Sequence, residues 1–293
     1  MTKHLVIMGG SLMDSGNTAS LLSLVGENPF SDDIYDGGGN VKASDGPVLG
    51  EHIALQLGAN LDDAQLFSLL DFGEAKTVDV HNFAHAGARS DQSPQLTIPF
   101  LGYSVGIGLK EQLKLLKRRK SFYRRKDDVD VLLSCSGNDV RDAFDRKDDI
   151  ARVIETSSRR DEKKLAKSIA KPISKNIRKT VDQITGFTDE IALIGSLPVA
   201  ETPEAVRWAS SFPEDQQSKA LSFLDLVGRT LQQRLESYFQ ADASISVVDG
   251  RYLWDQLDQP GFVDSVHPTS DVSRELAVLF VDEVSEDLTS FGF

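Results

Sequence analysis

Hydrophobic positions in this chain cluster into five short, almost continuous apolar runs, separated by longer stretches that mix apolar and polar residues. Each run is bounded by turn-forming residues such as Gly, Asp, Asn or Pro, which is typical of strands buried on both faces. The runs predict five strands, at residues 4–8, 78–84, 128–137, 190–198 and 244–250.

Three of the intervening stretches place apolar residues three and four apart, which is the period of an amphipathic helix. They are LKEQLKLLKRRK (109–120), KALSFLDLVGRTLQQRLESYF (219–239) and DVSRELAVLFVDEVSEDL (271–288). Alternating strands and helices predict a parallel sheet with helices on both faces. Right-handed crossovers then favour a doubly wound, five-stranded α/β/α sandwich of flavodoxin-like topology. We expect a single domain over residues 1–293.

Composition narrows the classes of function. The chain is 40% hydrophobic and 26% charged, as is usual for a globular protein. Its single cysteine, Cys135, excludes an internal disulfide. The net charge of -13 disfavours a nucleic-acid partner. The N-terminal residues lack the pattern of a secretory signal, so the sequence predicts none.

Positive charge is concentrated in one region of the chain. Residues 110–179 hold 22 of the 32 Lys and Arg, mostly in two segments, 114–126 and 159–179. We favour the interpretation that both segments are solvated helix faces. The alternative is weak contact with an anionic membrane surface, where each basic residue contributes about 1 kcal/mol.

Residues capable of chemistry follow the predicted strands. Because ligands of such sheets bind beyond the carboxyl ends of the strands, these segments are the candidate site. In chain order they are GGSLMDSGN, NFAHAGA, SGND, GSLPVAETP and DSVHPT, and they contain Ser11, Gly87, Asn138, Asp264 and His267. Singly, each is an ordinary cap, turn or surface residue. Together they supply a nucleophile, a base, an orienting carboxylate and hydrogen-bond donors at one sheet edge.

In this order, from residue 5 to residue 270, the segments resemble the sequence blocks of the SGNH hydrolase superfamily, in its GDSL lipase/esterase branch. The resemblance implies that Ser11 is the nucleophile, His267 the base and Asp264 the residue that orients it. It also implies an oxyanion hole made of the backbone N–H groups of Ser11 and Gly87 and the side-chain amide of Asn138.

The expected function is therefore hydrolysis of small-molecule or lipid carboxylic esters through an acyl-enzyme, with no cofactor. Two alternatives remain open: acyl transfer to an alcohol by the same triad, and a weakly active binding protein on the hydrolase scaffold. The resemblance suggests a secreted or cell-envelope protein, while a cytoplasmic location also stays open. The oligomeric state is not predicted.

The chain departs from the family pattern at Gly10, where the family has aspartate before the serine. A glycine there predicts a nucleophile turn without the side-chain hydrogen bonds that an aspartate makes, and hence an active but slow enzyme whose turnover Gly10→Asp raises. The alternative is that neighbouring loops have repacked into the space of the aspartate, in which case Gly10→Asp lowers both melting temperature and rate.

Histidines and loop aromatics are the remaining residue types that could contribute to a site. The histidines at 4, 52, 81 and 85 show no zinc-binding spacing, so no metal site is predicted. His85 either borders the site or is an ordinary loop histidine. Four aromatic residues in loops near the strand ends either form an acyl pocket or pack those loops: Phe30, Tyr35, Trp208 and Phe212.

Overall fold

A computed structural model describes residues 3–23, 26–59, 78–91, 96–98, 103–105, 107–119, 128–134, 136–156, 158–188, 190–288 and 291. The strands in these residues are β1 (Lys3–Gly9), β2 (Val78–Asn82), β3 (Leu96–Ile98), β4 (Tyr103–Val105), β5 (Val129–Ser134), β6 (Glu190–Ile194) and β7 (Ile245–Val248). The α-helices are α1 (Asn17–Ser23), α2 (Leu49–Gln56), α3 (Leu109–Arg119), α4 (Gly137–Arg141), α5 (Lys147–Glu155), α6 (Arg159–Ile184), α7 (Pro203–Ala209), α8 (Glu214–Phe239), α9 (Gly250–Trp254) and α10 (Ser270–Asp287).

Five of the strands form one parallel sheet in the order β2-β1-β5-β6-β7. Counting only these strands, the order is 2-1-3-4-5, which is the flavodoxin-like topology. The predicted strands and fold class are confirmed, although β5 and β6 each end a few residues earlier than predicted. The winding direction reverses between β1 and β5, and a ligand site is expected at that switch point.

Helices cover both faces of the sheet because successive strand residues point to opposite sides. On β1, Val6 and Met8 join a buried cluster with residues of α3, α6 and α8. Leu5 and Ile7 join a second buried cluster with residues of α2 and α10. The sheet therefore lies between two hydrophobic cores.

A short antiparallel hairpin, β3–β4, was not predicted. Each strand has only three residues, and Pro99 and Gly102 interrupt the apolar stretch between them in the sequence. Runs this short and interrupted do not show the alternation of apolar and polar residues by which a strand is recognised.

Only one of the two basic segments lies wholly within the described residues. In 159–179, within α6, every Lys and Arg side chain is exposed, whereas the apolar side of the helix is buried. Residues 120–126 of the other segment, and Cys135, lie outside the described residues.

Within the part of the chain that the structure describes, no helix has the length and apolar character to cross a membrane.

Candidate active site

Ser11 lies in a tight turn directly after β1. The Gly10 N–H donates to the Ser134 carbonyl of β5 at 3.1 Å, and the Met13 N–H donates to the Gly10 carbonyl at 3.0 Å. Gly9 must be glycine because its φ is +148° and a Cβ there would overlap the Ser134 carbonyl. The turn thus places Ser11 at the carboxyl edge of the sheet, between β1 and β5.

The carboxylate of Asp14 stabilises this turn from its C-terminal side. Asp14 is only 1% exposed. Its oxygens accept hydrogen bonds of 2.7–3.2 Å from the backbone N–H groups of Gly16, Asn17, Thr18 and Ala86. One carboxylate therefore joins the nucleophile turn to the loop that follows β2.

A buried amide stabilises the same turn from the other side. Gln112 of α3 accepts from the Gly9 N–H at 2.8 Å and donates to the Gly9 carbonyl at 2.9 Å. Sequence reasoning missed the roles of both Asp14 and Gln112. Gly10 itself supplies no side-chain hydrogen bond, but Gln112 and Asp14 bind the backbone on either side of the turn. For Asp14 a signal was present, since aspartate before Ser-Gly-Asn is typical of a side-chain-stabilised turn.

Asp264 and His267 lie on a loop that folds back on itself. The Val263 N–H donates to the His267 carbonyl at 2.8 Å, and the Thr269 N–H donates to the Gly261 carbonyl at 3.1 Å. This geometry brings both side chains to the sheet edge that carries Ser11.

The imidazole of His267 bridges the other two groups. Its Nε2 lies 2.8 Å from Ser11 Oγ, and its Nδ1 lies 2.6 Å from Asp264 Oδ2. Since an ionised carboxylate only accepts hydrogen bonds, Nδ1 carries the proton. Nε2 of the neutral ring then accepts from the Ser11 hydroxyl. The structure brings together all three residues of the predicted triad.

Hydrogen bonds keep Asp264 ionised. Its Oδ1 accepts from the backbone N–H groups of Val266 and His267 at 2.6 and 2.7 Å, and its Oδ2 accepts from the Tyr35 hydroxyl at 2.7 Å. Burial alone raises the pKa of Asp264, but the hydrogen bonds and charge of His267, with the Tyr35 bond, hold that pKa well below its usual range. Burial and the bond to Asp264 raise the pKa of Tyr35. Tyr35 therefore contacts the triad rather than an acyl group.

Asn138 reaches the site from the first turn of α4. Its Nδ2 donates to the Ala88 carbonyl at 3.0 Å, and its Oδ1 accepts from Arg141 Nη1 at 3.1 Å. Two hydrogen bonds of 2.6 and 2.8 Å to the Glu204 carboxylate hold Arg141 itself. These two bonds fix the orientation of the amide. No hydrogen bond from the second N–H of Nδ2 to a described residue is present, so that N–H can bind a ligand.

Gly87 occupies the left-handed region, with φ of +78°, in the loop after β2. A Cβ at this position would meet no atom within 4 Å, so its backbone conformation, rather than lack of space, requires glycine. Among the described residues, Ala88 rather than Gly87 lines the cavity beside Ser11. The role of the Gly87 N–H in an oxyanion hole stays a prediction. His85, two residues earlier, is buried and its Nδ1 lies 2.9 Å from the Phe83 carbonyl oxygen.

A cavity of about 80 Å³ opens beside Ser11 and His267. Most of its lining is apolar, and the contributing side chains include Leu12, Leu197, Val199, Trp254, Phe262 and Val266. The polar groups on its wall include Asn138 and Arg141. A small apolar space therefore adjoins the serine hydroxyl.

The aromatic residues considered for an acyl pocket pack elsewhere. Trp208 stacks on Phe144 with ring centroids 5.0 Å apart and contacts Phe212 edge-on at 4.8 Å. Phe30 packs edge-on against Tyr35 at 5.7 Å. None of the four is among the residues that line the described cavity, whose aromatic residues are Trp254 and Phe262. Trp208 lies in α7, not in a loop as expected.

Similar proteins were found among solved structures and among family profiles. The solved structures it resembles include a lipolytic G-D-S-L family protein from Veillonella parvula, with 12% identity, coverage of 96% of this chain and 97% of that one, and a TM-score of 0.47. An extracellular lipase from Streptomyces rimosus is 11% identical, with coverage of 96% of this chain and 99% of that one and a TM-score of 0.49. An acetylxylan esterase from Geobacillus stearothermophilus is 14% identical, with coverage of 96% of this chain and 94% of that one and a TM-score of 0.44.

No curated protein sequence matches the chain significantly. A family profile does match it, from residue 5 to residue 280, a range that contains the nucleophile turn, the Asn138 helix and the loop of Asp264 and His267. On that match, the chain belongs to the GDSL-like lipase/acylhydrolase family.

Proposed function

We propose that this member of an ester-hydrolysing family uses Ser11 as its nucleophile, His267 as its general base and Asp264 as the carboxylate that orients the base. One observation carries the proposal: His267 lies within hydrogen-bond distance of Ser11 Oγ on one side and Asp264 on the other, at 2.8 and 2.6 Å. A serine hydroxyl is a poor nucleophile until an adjacent base accepts its proton, and this arrangement supplies that base.

Acylation begins when Ser11 Oγ attacks the ester carbonyl carbon while its proton passes to His267 Nε2. Asp264 stabilises the resulting imidazolium. The carbonyl oxygen becomes an oxyanion, which the free N–H of Asn138 and the backbone N–H groups of Ser11 and Gly87 are proposed to bind. When the tetrahedral intermediate collapses, the C–O bond to the alcohol breaks, and His267 gives its proton to the leaving oxygen.

Deacylation repeats these steps with water as the attacking group. His267 accepts a proton from water, hydroxide adds to the acyl carbon, and Ser11 leaves as the free hydroxyl while the acid is released. With an alcohol in place of water, the same residues perform acyl transfer. The preformed geometry around Ser11 argues against the alternative of a binding protein.

The size of the cavity points to esters of short acyl chains. At about 80 Å³, it is smaller than the roughly 150 Å³ cavity that accommodates a benzene molecule in another protein. Its apolar wall favours an uncharged hydrocarbon group. We expect hydrolysis of p-nitrophenyl esters to fall steeply beyond a short acyl chain. A preference for long-chain esters would contradict this substrate class and leave the triad unaffected.

The nucleophile is tested with a fluorophosphonate probe, which labels activated serines covalently. Ser11→Ala is expected to lose both labelling and ester hydrolysis while it keeps the wild-type melting temperature. Ser196→Ala is the matched control, because Ser196 also lines the cavity but its hydroxyl donates to the Leu197 carbonyl. Labelling that persists in Ser11→Ala would show that another residue is the nucleophile.

The other two triad residues are tested by kinetics. His267→Ala is expected to lose nearly all turnover, and Asp264→Ala somewhat less, because the base moves the proton whereas the carboxylate orients it. Wild-type turnover in Asp264→Ala would remove that residue from the mechanism.

A further inference from the structure

A cluster of three possible metal ligands lies on β1 and β2, away from Ser11. In the parallel register of these strands, His4 pairs with Asp79, and Val6 pairs with His81. Because side chains two apart on a strand share a face, Asp79 and His81 point to the same side of the sheet. His4 joins them from the neighbouring strand. Ser11 follows the opposite end of β1, so the cluster is separate from the candidate active site.

The distances between the ligand atoms match those of a metal site. His4 Nδ1 lies 3.2 Å from His81 Nε2 and 3.7 Å from Asp79 Oδ2, and all three atoms lie within 4.8 Å of one another. Zinc binds histidine nitrogen at about 2.0–2.1 Å and carboxylate oxygen at about 2.0–2.2 Å. In a tetrahedral site, these bond lengths separate neighbouring ligand atoms by roughly 3.3–3.5 Å. The side chain of Asp79 is 47% exposed and its Oδ2 already faces His4 Nδ1.

We propose that His4, Asp79 and His81 form a binding site for Zn²⁺ or a similar divalent transition metal, with water as the fourth ligand. Three protein ligands and one water are a common zinc coordination. The proposal is independent of the ester hydrolase mechanism. It also differs from the sequence expectation of no metal site, which considered only local spacing along the chain.

Charged groups of both signs surround the cluster. The side chain of His4 is 18% exposed and that of Asp79 is 47% exposed, so an ion can reach the cluster from solvent. Asp79 and Asp128 carry negative charge near His4, while Arg119 is a positive charge near His81. The competing explanation of the 3.2 Å distance is a direct hydrogen bond between the two imidazoles, in a cluster that binds no metal.

A bound ion would join the edge strand β2 to its neighbour in the sheet, β1. Because it would bind the folded chain and not the unfolded one, saturation with metal should raise the melting temperature. Ester hydrolysis should stay unchanged, since none of the three ligands lies in the candidate active site.

The test uses protein without a histidine tag, stripped with a chelator and titrated with Zn²⁺ by calorimetry. Visible absorption with Co²⁺ reports the coordination geometry. The expected result is one ion per chain with a micromolar or lower dissociation constant. Binding should be lost in His4→Gln and His81→Gln, and weakened at least tenfold in Asp79→Asn. His52→Gln, a histidine outside the cluster, is the matched control and should keep full affinity.

Esterase activity and melting temperature show whether each variant is folded. Should a histidine variant fail to fold, the exposed position of Asp79 makes Asp79→Asn the decisive variant. Failure of the wild type to bind Zn²⁺, or equal affinity in the wild type and the folded cluster variants, would overturn the proposal. In those cases the direct hydrogen bond explains the cluster.

Discussion

The side-chain amide of Asn138 is held by one neighbour on each of its two atoms. The Ala88 carbonyl accepts from its Nδ2, and Arg141 donates to its Oδ1. If the amide were flipped, its oxygen would lie against the Ala88 carbonyl oxygen and its NH2 group against the Arg141 guanidinium, so neither bond could form. Catalysis that relies on a preorganised oxyanion donor depends on such fixed orientation. We therefore regard Arg141 as a positioning residue.

We predict that Arg141→Met, which keeps the length of the side chain, lowers kcat about tenfold with little change in KM. The expected loss is smaller than that of Asn138→Ala, because removing an oxyanion donor costs roughly 100- to 1,000-fold in kcat. Steady-state kinetics on a short-chain ester measure both. Glu204→Gln keeps the bond from Arg141 to Asn138 and should be milder. Wild-type kcat in Arg141→Met would contradict the positioning role.

Gly10 illustrates how a departure from a family motif can be absorbed by its neighbours. A Cβ at this position would lie 3.5 Å from Asn138 Nδ2 and 3.8 Å from the Ala88 carbonyl, which are ordinary contacts. The turn already has the hydrogen bonds of Asp14 and Gln112.

We predict that Gly10→Asp folds with an unchanged melting temperature and changes kcat by less than about threefold. Gly10→Asn is the uncharged control. A tenfold gain in turnover would instead support the looser turn that the sequence alone suggested. A marked fall in melting temperature would show that neighbouring groups fill the space that the aspartate needs.

At the scale of secondary-structure elements, α4 and the loop after β2 form one unit around the oxyanion region. Asp139 of α4 is buried and accepts from the Ser90 N–H at 3.1 and 2.9 Å and from the Ser90 hydroxyl at 2.6 Å. Burial raises the pKa of Asp139 to about 6, against the lowering effect of the Ser90 hydrogen bonds. The charges of Asp91 and Asp142 raise it further.

This pKa predicts a pH dependence of stability. Because the folded pKa of about 6 lies above the ordinary value of 3.8, the folded state binds the proton more tightly than the unfolded state. The contribution of Asp139 to stability should therefore decrease as pH rises from about 4 to about 6 and stay level above that. Its size should be on the order of 1–3 kcal/mol.

Urea unfolding of the wild type and Asp139→Asn across this range measures the effect. The difference in free energy of unfolding should shift in favour of the variant as pH rises, because asparagine does not titrate and can still accept from Ser90. A difference that is constant from pH 4 to pH 7 would show that Asp139 titrates normally.

At the scale of the whole molecule, the exposed basic side chains of α6 and the candidate active site belong to different elements of the fold. The exposed Lys and Arg of α6 flank the sheet, whereas Ser11 lies at the carboxyl edge of the strands. Exposed charges opposite a buried apolar stripe are the ordinary pattern of a surface helix. We therefore keep the interpretation that this face is solvated.

We predict that the protein remains in the supernatant when it is sedimented with phosphatidylserine-containing vesicles at physiological ionic strength. Weak, salt-sensitive binding at low ionic strength is expected for any such cluster of basic residues. Neutral vesicles are the control. Binding to anionic vesicles that persists at physiological salt, and that Lys167→Glu/Lys171→Glu abolishes, would favour the membrane-contact alternative.

The sequence by itself determined the order of strands and helices and the identity of the residues expected at the sheet edge. Both rest on local signals. Apolar runs and helical periods are visible within a window of about 20 residues or fewer. Ser11, Asn138, Asp264 and His267 follow from short motifs at strand ends, and topology brings strand ends to one edge.

Only the tertiary structure decided which polar groups support that edge. Tyr35 and Asp264 are 229 residues apart in the chain, and Gly9 and Gln112 are 103 apart. The cluster of His4, Asp79 and His81 likewise depends on the register of two strands. Such contacts leave no periodic trace in the sequence, because a single polar side chain makes its bond wherever the folded backbone brings a partner within about 3 Å.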